Sequence, residues 1–543
     1  MATTAAKPEV FSRKASGLSR VMSPGSAFMY NFLTMGVIFP WTILWAPAAF
    51  PGVSVWKASL IAILLELPIA LAYVWMSTAM PRSGGDYVFQ SRVLGGAIGF
   101  PVVMSGFVIW ILQWVALAGW LLAYLGVSPL LLGLGVYYDN TSLIDAGLWA
   151  QSSLGAVVIS ICGAALMALL LITGFKNYVR LQYFMFAGTV LLVVILLVQF
   201  LRTSPAQFAT AMNHFSNVVD GRTDYYHWIQ KDIADAGVNL LPKFALGATL
   251  LAAPIVWTSL QWATYSVEQG GEIKGARVFK NQMFIIVGSM IAMGVTLALL
   301  AWAQERAVGT AFFNAVSNSY FGYSASGEGL GSVYPFPGNF AIVISPNPII
   351  TILVAVSFML ASLQITCNCY IGMTRIMVGM SLDRTLPAWF SKVNPRFRSP
   401  VNAHLIYFLL GCVAIYGYNY YSQWYTMTLG VTFACGYVFT VSCLAAALMP
   451  YRAKALYEAS PGAKYTLGGF PLVTIFGIIG FVFGLAAEIA FLTHSGYGLK
   501  GTTPYIVVAS IFVICLVGYW IGRQYNKSKG IDVNYAFLEV PPE

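Results

Sequence analysis

The side chains able to do chemistry in this chain are few and scattered. Glu66 stands in Leu64-Leu65-Glu66-Leu67-Pro68, inside an apolar run long enough to cross a bilayer. A carboxylate at that depth is unfavourable and is a functional hypothesis by default. Protonated and neutral, it can carry a coupling proton; equally, it can serve as a hydrogen-bond partner inside a bundle. Glu488 is a second acid in an apolar run, nearer the run's outer end. Cys367-x-Cys369 suggests a metal pair, but positions i and i+2 of a helix point about 200° apart. No His or acid lies near them in sequence, so they read as buried apolar thiols. His214, His227, His404 and His494 are dispersed and form no nucleophile or zinc constellation. The sequence therefore offers no catalytic residues, no metal ligands and no cofactor motif, and the expectation is that the protein is not an enzyme.

More telling chemistry lies in the backbone. Phe28–Phe50 is long and apolar enough to span a membrane, yet it contains Gly36, Pro40 and Pro47. Within it runs Gly36-Val37-Ile38-Phe39-Pro40-Trp41-Thr42. Proline lacks an N–H and clashes with the preceding turn, so a continuous helix is not expected there. A second apolar stretch, Phe244–Val267, is interrupted in similar fashion by Pro254, and its break is expected within Ala253-Pro254-Ile255-Val256-Trp257-Thr258. In lipid, freed backbone groups are tolerated only where they line a cavity or are buried in protein. Two interrupted segments in corresponding halves point to a substrate site.

The elements that must hold these residues are membrane helices. Hydrophobic residues make up 58% of the 543, and charged residues 9%, where a soluble domain carries about 25% charged. Apolar runs separated by short polar connections give about twelve spans, an all-α integral membrane protein. Lys and Arg concentrate in every second connection. The net charge of +10 is thus a topology signal that places both termini in the cytoplasm, and not a nucleic-acid signal. No cleaved leader is expected, because the first apolar run is too long and too far into the chain. The reading divides the chain into a tail at 1–22, spans 1–5 at 23–201, an outer loop at 202–243, and spans 6–10 at 244–450. That last block includes a second outer loop at 304–347; spans 11–12 follow at 451–524 and a tail at 525–543. Both long outer loops are expected to carry some structure of their own.

Three polar segments then carry a resemblance. Met80-Pro-Arg-Ser-Gly-Gly-Asp-Tyr-Val-Phe-Gln-Ser-Arg-Val-Leu-Gly95 follows span 2; Gly271-Glu272-Ile273-Lys274 follows span 6. After span 8 come Arg375, then Met380-Ser-Leu-Asp-Arg-Thr-Leu-Pro387, then Ser399-Pro-Val-Asn-Ala403. Together they resemble the corresponding segments of the amino acid–polyamine–organocation (APC) permeases. The Asn-Pro usual after the lysine is replaced by Gly275-Ala276-Arg277, and the usual Asp-Gly pair by Asp383-Arg384. Physically, Pro81 ends span 2, and Gly84-Gly85 permit a tight reversal against neighbouring helices.

The resemblance implies a core of two inverted five-helix repeats plus two extra helices. Spans 1 and 6 are then unwound at mid-membrane with an amino acid between them. Its carboxylate would meet backbone N–H groups at the span 1 break, and its ammonium would meet carbonyls at the breaks. A break leaves free N–H groups and a positive helix end, which attract an anion without a charged side chain. The family's Gly-Ser-Gly-Ile-Phe motif is absent from span 1. Phe39–Ile43 occupies its place if Pro47 matches the family proline, and the site slides a turn inward if Gly36 marks the break. Gly36, Val37, Phe39, Pro40, Trp41 and Thr42, with Ala253 through Thr258, are the candidate substrate residues, and Glu66 the coupling candidate. No charged side chain lies near either break, so a neutral or apolar amino acid is the expected substrate. The expected function is a secondary active transporter in the plasma membrane, with a proton or sodium ion as the candidate coupling ion. A transporter of another small nitrogen compound, polyamine or nucleobase, and a transport-inactive sensor are the alternatives.

Overall fold

A computed structural model describes residues 17–36, 39–497 and 502–541. It is built almost wholly of helices, and eleven helical segments among the described residues are long and apolar enough to cross a membrane. In chain order the spans are 1 (Pro24–Gly36 and Phe39–Ala49), 2 (Val55–Ala79), 3 (Gly96–Tyr138), 4 (Ser153–Ile172), 5 (Phe175–Arg202) and 6 (Leu246–Glu268). Then come 7 (Phe279–Val308), 8 (Pro348–Leu382), 9 (Val401–Tyr420), 11 (Leu472–Thr493) and 12 (Thr503–Ser528). A 31-residue helix, Ser422–Arg452, stands where the sequence places span 10. The faces of spans 5, 11 and 12 that point away from the bundle carry Phe184, Val194, Ile478, Ile514 and Ile521, all exposed, as a lipid-facing surface requires.

Several elements differ from the sequence reading. Span 3 is a 43-residue helical segment rather than one ending near 126, and it contains wider π-helical turns at Met104–Ile109 and Leu122–Val127. Span 8 continues to Leu382, so Arg375 and Met380 lie within it and not after it. Pro348 sits in its first turn, where a missing N–H costs nothing, and Asn347 caps it by accepting from Ile350 N at 2.9 Å. The long connections after spans 5 and 7 contain helices of their own: Pro205–Asp220, Tyr225–Asp235, Thr310–Tyr320 and Pro337–Ile344.

The two prolines of interest behave differently. Pro254 lies inside the helix Leu246–Leu260, which continues unbroken through Ala253–Thr258. The expected break is therefore corrected: the α-helix gives way to a tighter 3₁₀ stretch, Gln261–Glu268, beyond Leu260. One proline can be absorbed by an α-helix whose neighbours satisfy the freed group. Pro47 lies inside Phe39–Ala49. Next to it, the Ser317 hydroxyl accepts from Ala48 N at 3.1 Å and donates to Leu44 O, inserting itself into the helix ladder. The outer helix Thr310–Tyr320 thereby fixes the second half of span 1.

Candidate functional site

Span 1 is described on either side of residues 37–38, as Pro24–Gly36 and Phe39–Ala49. Val37 lies outside the described residues, and so does the side chain of Phe39. Asn31 fastens the first half to the 3₁₀ stretch of span 6. Its Nδ2 donates to Ser266 Oγ at 3.0 Å, and its Oδ1 accepts from Ser266 N at 2.8 Å. The same Nδ2 donates to Ile285 O at 3.2 Å, within a π turn of span 7 at Met283–Gly288. Ser259 Oγ donates to Met35 O at 2.8 Å, a further tie between span 6 and the first part of span 1.

Beside this junction lies a small cavity between spans 1, 3, 6 and 8. It is lined by Thr34, Ile111, Trp114, Trp262, Tyr265, Ile365, Asn368 and Cys369, and its space of about 20 Å³ has room for about one water. Its wall is aromatic: Trp262 meets Trp114 edge-on at 5.8 Å and Tyr265 at 5.2 Å. Its polar side is neutral. Asn368 Nδ2 donates to Thr34 Oγ1 at 2.5 Å, and Thr34 passes the bond to Tyr30 O at 2.6 Å. Asn368 Oδ1 accepts from Tyr178 OH at 3.1 Å and from Gln364 Nε2 at 2.9 Å. Tyr265 OH donates to Asn368 O at 3.2 Å. The indole N–H of Trp262 is buried without a hydrogen-bond partner. No charged side chain lines the cavity.

Gly36, Pro40, Trp41, Thr42 and Ala253–Thr258 are not among the residues that line this cavity. Gly36 faces Met293 of span 7, and Trp41 packs against Trp45 at 4.6 Å. Trp257 turns toward span 2, where its Nε1 donates to Glu66 Oε2 at 2.6 Å. Glu66 is fully buried, and its other oxygen has no partner. Glu488 is also buried, with neither oxygen hydrogen-bonded, and it and Trp257 both crowd Gly436. Spans 2, 6, 10 and 11 thus bring two acids to opposite sides of one small region, an arrangement the sequence did not reveal for Glu488. Sequence reasoning also missed Thr34, Trp262, Tyr265 and Asn368. A signal existed for Asn368: Gln364 and Asn368, four residues apart, share one face of an apolar span.

Toward the face carrying the basic connections, the three motif segments converge. Arg375 of span 8 makes a two-bond pair with Glu272, at 2.8 and 3.2 Å, and both side chains are buried. Arg92 makes a second buried pair with Asp383, at 2.5 and 2.9 Å. Gly84 takes φ 86°, and a side chain on Gly85 would strike the Val267 backbone at 2.6 Å. The two glycines therefore let the loop press against the end of span 6. Gly84 N donates to Glu268 O at 2.9 Å, and Val21 N and Met22 N both donate to Glu272 O at 3.0 Å. The C-terminal segment joins them: Arg82 Nε donates to Pro541 O at 2.7 Å and Arg92 Nε to Glu539 O at 3.1 Å.

A family model described as amino acid permease matches residues 26–517. No curated protein shows a significant match to the chain.

Proposed function

The chain belongs to the amino acid permease family of the APC superfamily, and from that premise we propose that it moves neutral or apolar amino acids by alternating access. The family consists of transporters, not enzymes, and its members are multi-pass membrane proteins acting on small molecules. The observation that carries the substrate class is the lining of the central cavity: aromatic and aliphatic walls, neutral polar groups and no charged side chain. Such a site holds an apolar side chain by burial and leaves no ion to recognise a charged one.

In this reading the substrate ammonium sits against the carbonyls at the end of Pro24–Gly36, where the helix dipole is negative. Its carboxylate takes backbone N–H groups from Gly36–Thr42, as Pro40 itself has none to give. The span 6 contribution moves from Ala253–Thr258 to Leu260–Tyr265, where the α-helix ends. Trp262 and Tyr265 then form the side-chain wall, and the cavity widens when substrate enters. Glu66 is the coupling carboxyl, held by Trp257. The basic face is cytoplasmic, the membrane is the plasma membrane, and twelve spans contain a five-plus-five inverted repeat.

Uptake into proteoliposomes against a panel of labelled amino acids tests the proposal. Accumulation of leucine-like or aromatic substrates, with lysine and glutamate excluded, is the expected result. A folded protein that neither takes up nor exchanges any amino acid refutes it.

A further inference from the structure

Asp86, in the first turn of the helix Gly85–Val93 that follows span 2, and Glu268, at the end of span 6, meet inside the protein. Asp86 N donates to Glu268 Oε1 at 3.2 Å, and the two carboxyl groups are themselves in hydrogen-bond contact. Both side chains are buried, at 1% and 0% exposure. Tyr73 OH donates to Asp86 Oδ1 at 2.5 Å, and Ser442 Oγ donates to the same oxygen. Gln90 Nε2 donates to Ser442 Oγ at 2.9 Å. Glu268 Oε2 is buried with no hydrogen-bond partner.

The titratable groups facing the pair are Tyr73 on span 2, Tyr30 on span 1, Tyr265 on span 6 and Cys443 on span 10. None of them is a cation. Arg375 on span 8 is engaged with Glu272, and Arg92 on the Asp86 segment with Asp383. Among the described residues, no Lys or Arg pairs with either Asp86 or Glu268. Two carboxylates in contact in a low-dielectric interior cannot both be ionised, and a hydrogen bond between them needs one O–H. Burial holds the Asp86 carboxyl above the usual carboxylate range.

The pair also straddles a joint. Gly84 N donates to Glu268 O, and Ser83 bridges Gln269, so the same few residues seal the loop against span 6. We propose that Asp86 and Glu268 share one proton and form a proton-binding latch of the basic face. The protonated pair closes the joint. Opening the joint to water releases the proton from the O–H to solvent, and the two anions left behind repel each other and keep it open. Glu66 and Tyr73 lie seven residues apart on one face of span 2, and Cys443 feels both Glu66 and Asp86 electrostatically. The coupling role rests on the transporter reading; the shared proton does not.

Infrared spectra of the full chain in phospholipid vesicles, without substrate, test the shared proton. The wild type shows carboxylic acid C=O absorption that persists at neutral pH and titrates at alkaline pH. Glu268→Gln removes part of that absorption, Glu268→Asp restores it at a shifted position, and Glu66→Gln removes a different part. Wild-type and Glu268→Gln spectra that superimpose at every pH overturn the proposal; Asp86→Asn serves the same comparison if Glu268→Gln does not fold. With an amino acid found by the uptake panel and a pH indicator trapped in the vesicles, substrate entry acidifies the lumen in the wild type. That acidification is lost in Glu268→Gln; retention at the wild-type level overturns the latch. A panel without any substrate refutes the transporter reading alone, since the infrared comparison needs none.

Discussion

Beside the cavity the buried polar groups of spans 1, 5 and 8 are neutral: Thr34, Asn368, Gln364 and Tyr178 bond to one another and to a backbone carbonyl. At the basic face they are charged, with Arg375–Glu272 and Arg92–Asp383 closed as buried two-bond pairs. The difference follows from what each region must do. A neutral network leaves a cavity with no fixed charge to satisfy, so it can admit and release an uncharged side chain. A buried ion pair has a single good geometry, because separating it leaves a desolvated charge. The first region is built to yield and the second to hold or let go as a unit.

The sharpest way to break this contrast is Arg375→Ala. It leaves Glu272 buried without its partner, and the folded state should lose about 3–5 kcal/mol. Thermal unfolding of the purified protein in detergent measures this, and a melting temperature equal to wild type would show that the pair is not structural. Next is Asn368→Ala, which removes the acceptor shared by Tyr178 and Gln364, leaves them bonded only to each other and should cost about 1–3 kcal/mol. If that loss falls on substrate binding, uptake at limiting substrate drops about tenfold or more, while the melting point moves less than in Arg375→Ala. Equal damage to stability and no change in uptake would merge the two regions into one structural core.

Glu66→Gln tests the region between them. A Gln side chain can still accept from Trp257 Nε1, so substrate binding is retained and the pH dependence of uptake weakens. Unchanged pH dependence removes Glu66 from coupling. The smallest effect is expected outside the membrane, at the exposed pair Arg222–Glu328, whose side chains are 30% and 59% exposed. Arg222→Ala should shift stability by less than about 1 kcal/mol, and less still at high salt. A loss comparable with Arg375→Ala would show that burial is not what separates the two kinds of pair.

Much of this architecture was legible in the chain. Composition and apolar run length give the helical membrane class, and the motif segments hold Glu272, Arg375, Asp383 and Arg92 without showing how they pair. The location of the break in span 6 was misread. Pro254 is the obvious breaker, yet the helix carries it, and the change of winding occurs at Gln261, a residue with no breaking tendency. A change of winding inside a bundle depends on neighbours that satisfy the freed backbone groups, here Asn31, whose Oδ1 accepts from Ser266 N.

The sequence by itself determined the helical membrane class, because the length of an apolar run is a local property. It also determined which polar residues were too unfavourable in an apolar setting to be incidental. Only the tertiary structure decided how they pair: Arg375 with Glu272 across 103 positions, Asp86 with Glu268 across 182, Arg92 with Asp383 across 291. The physical reason is that a buried polar group requires a partner but does not specify which. Helix packing makes that choice, bringing the segment after span 2, the end of span 6 and the C-terminal end of span 8 to one face.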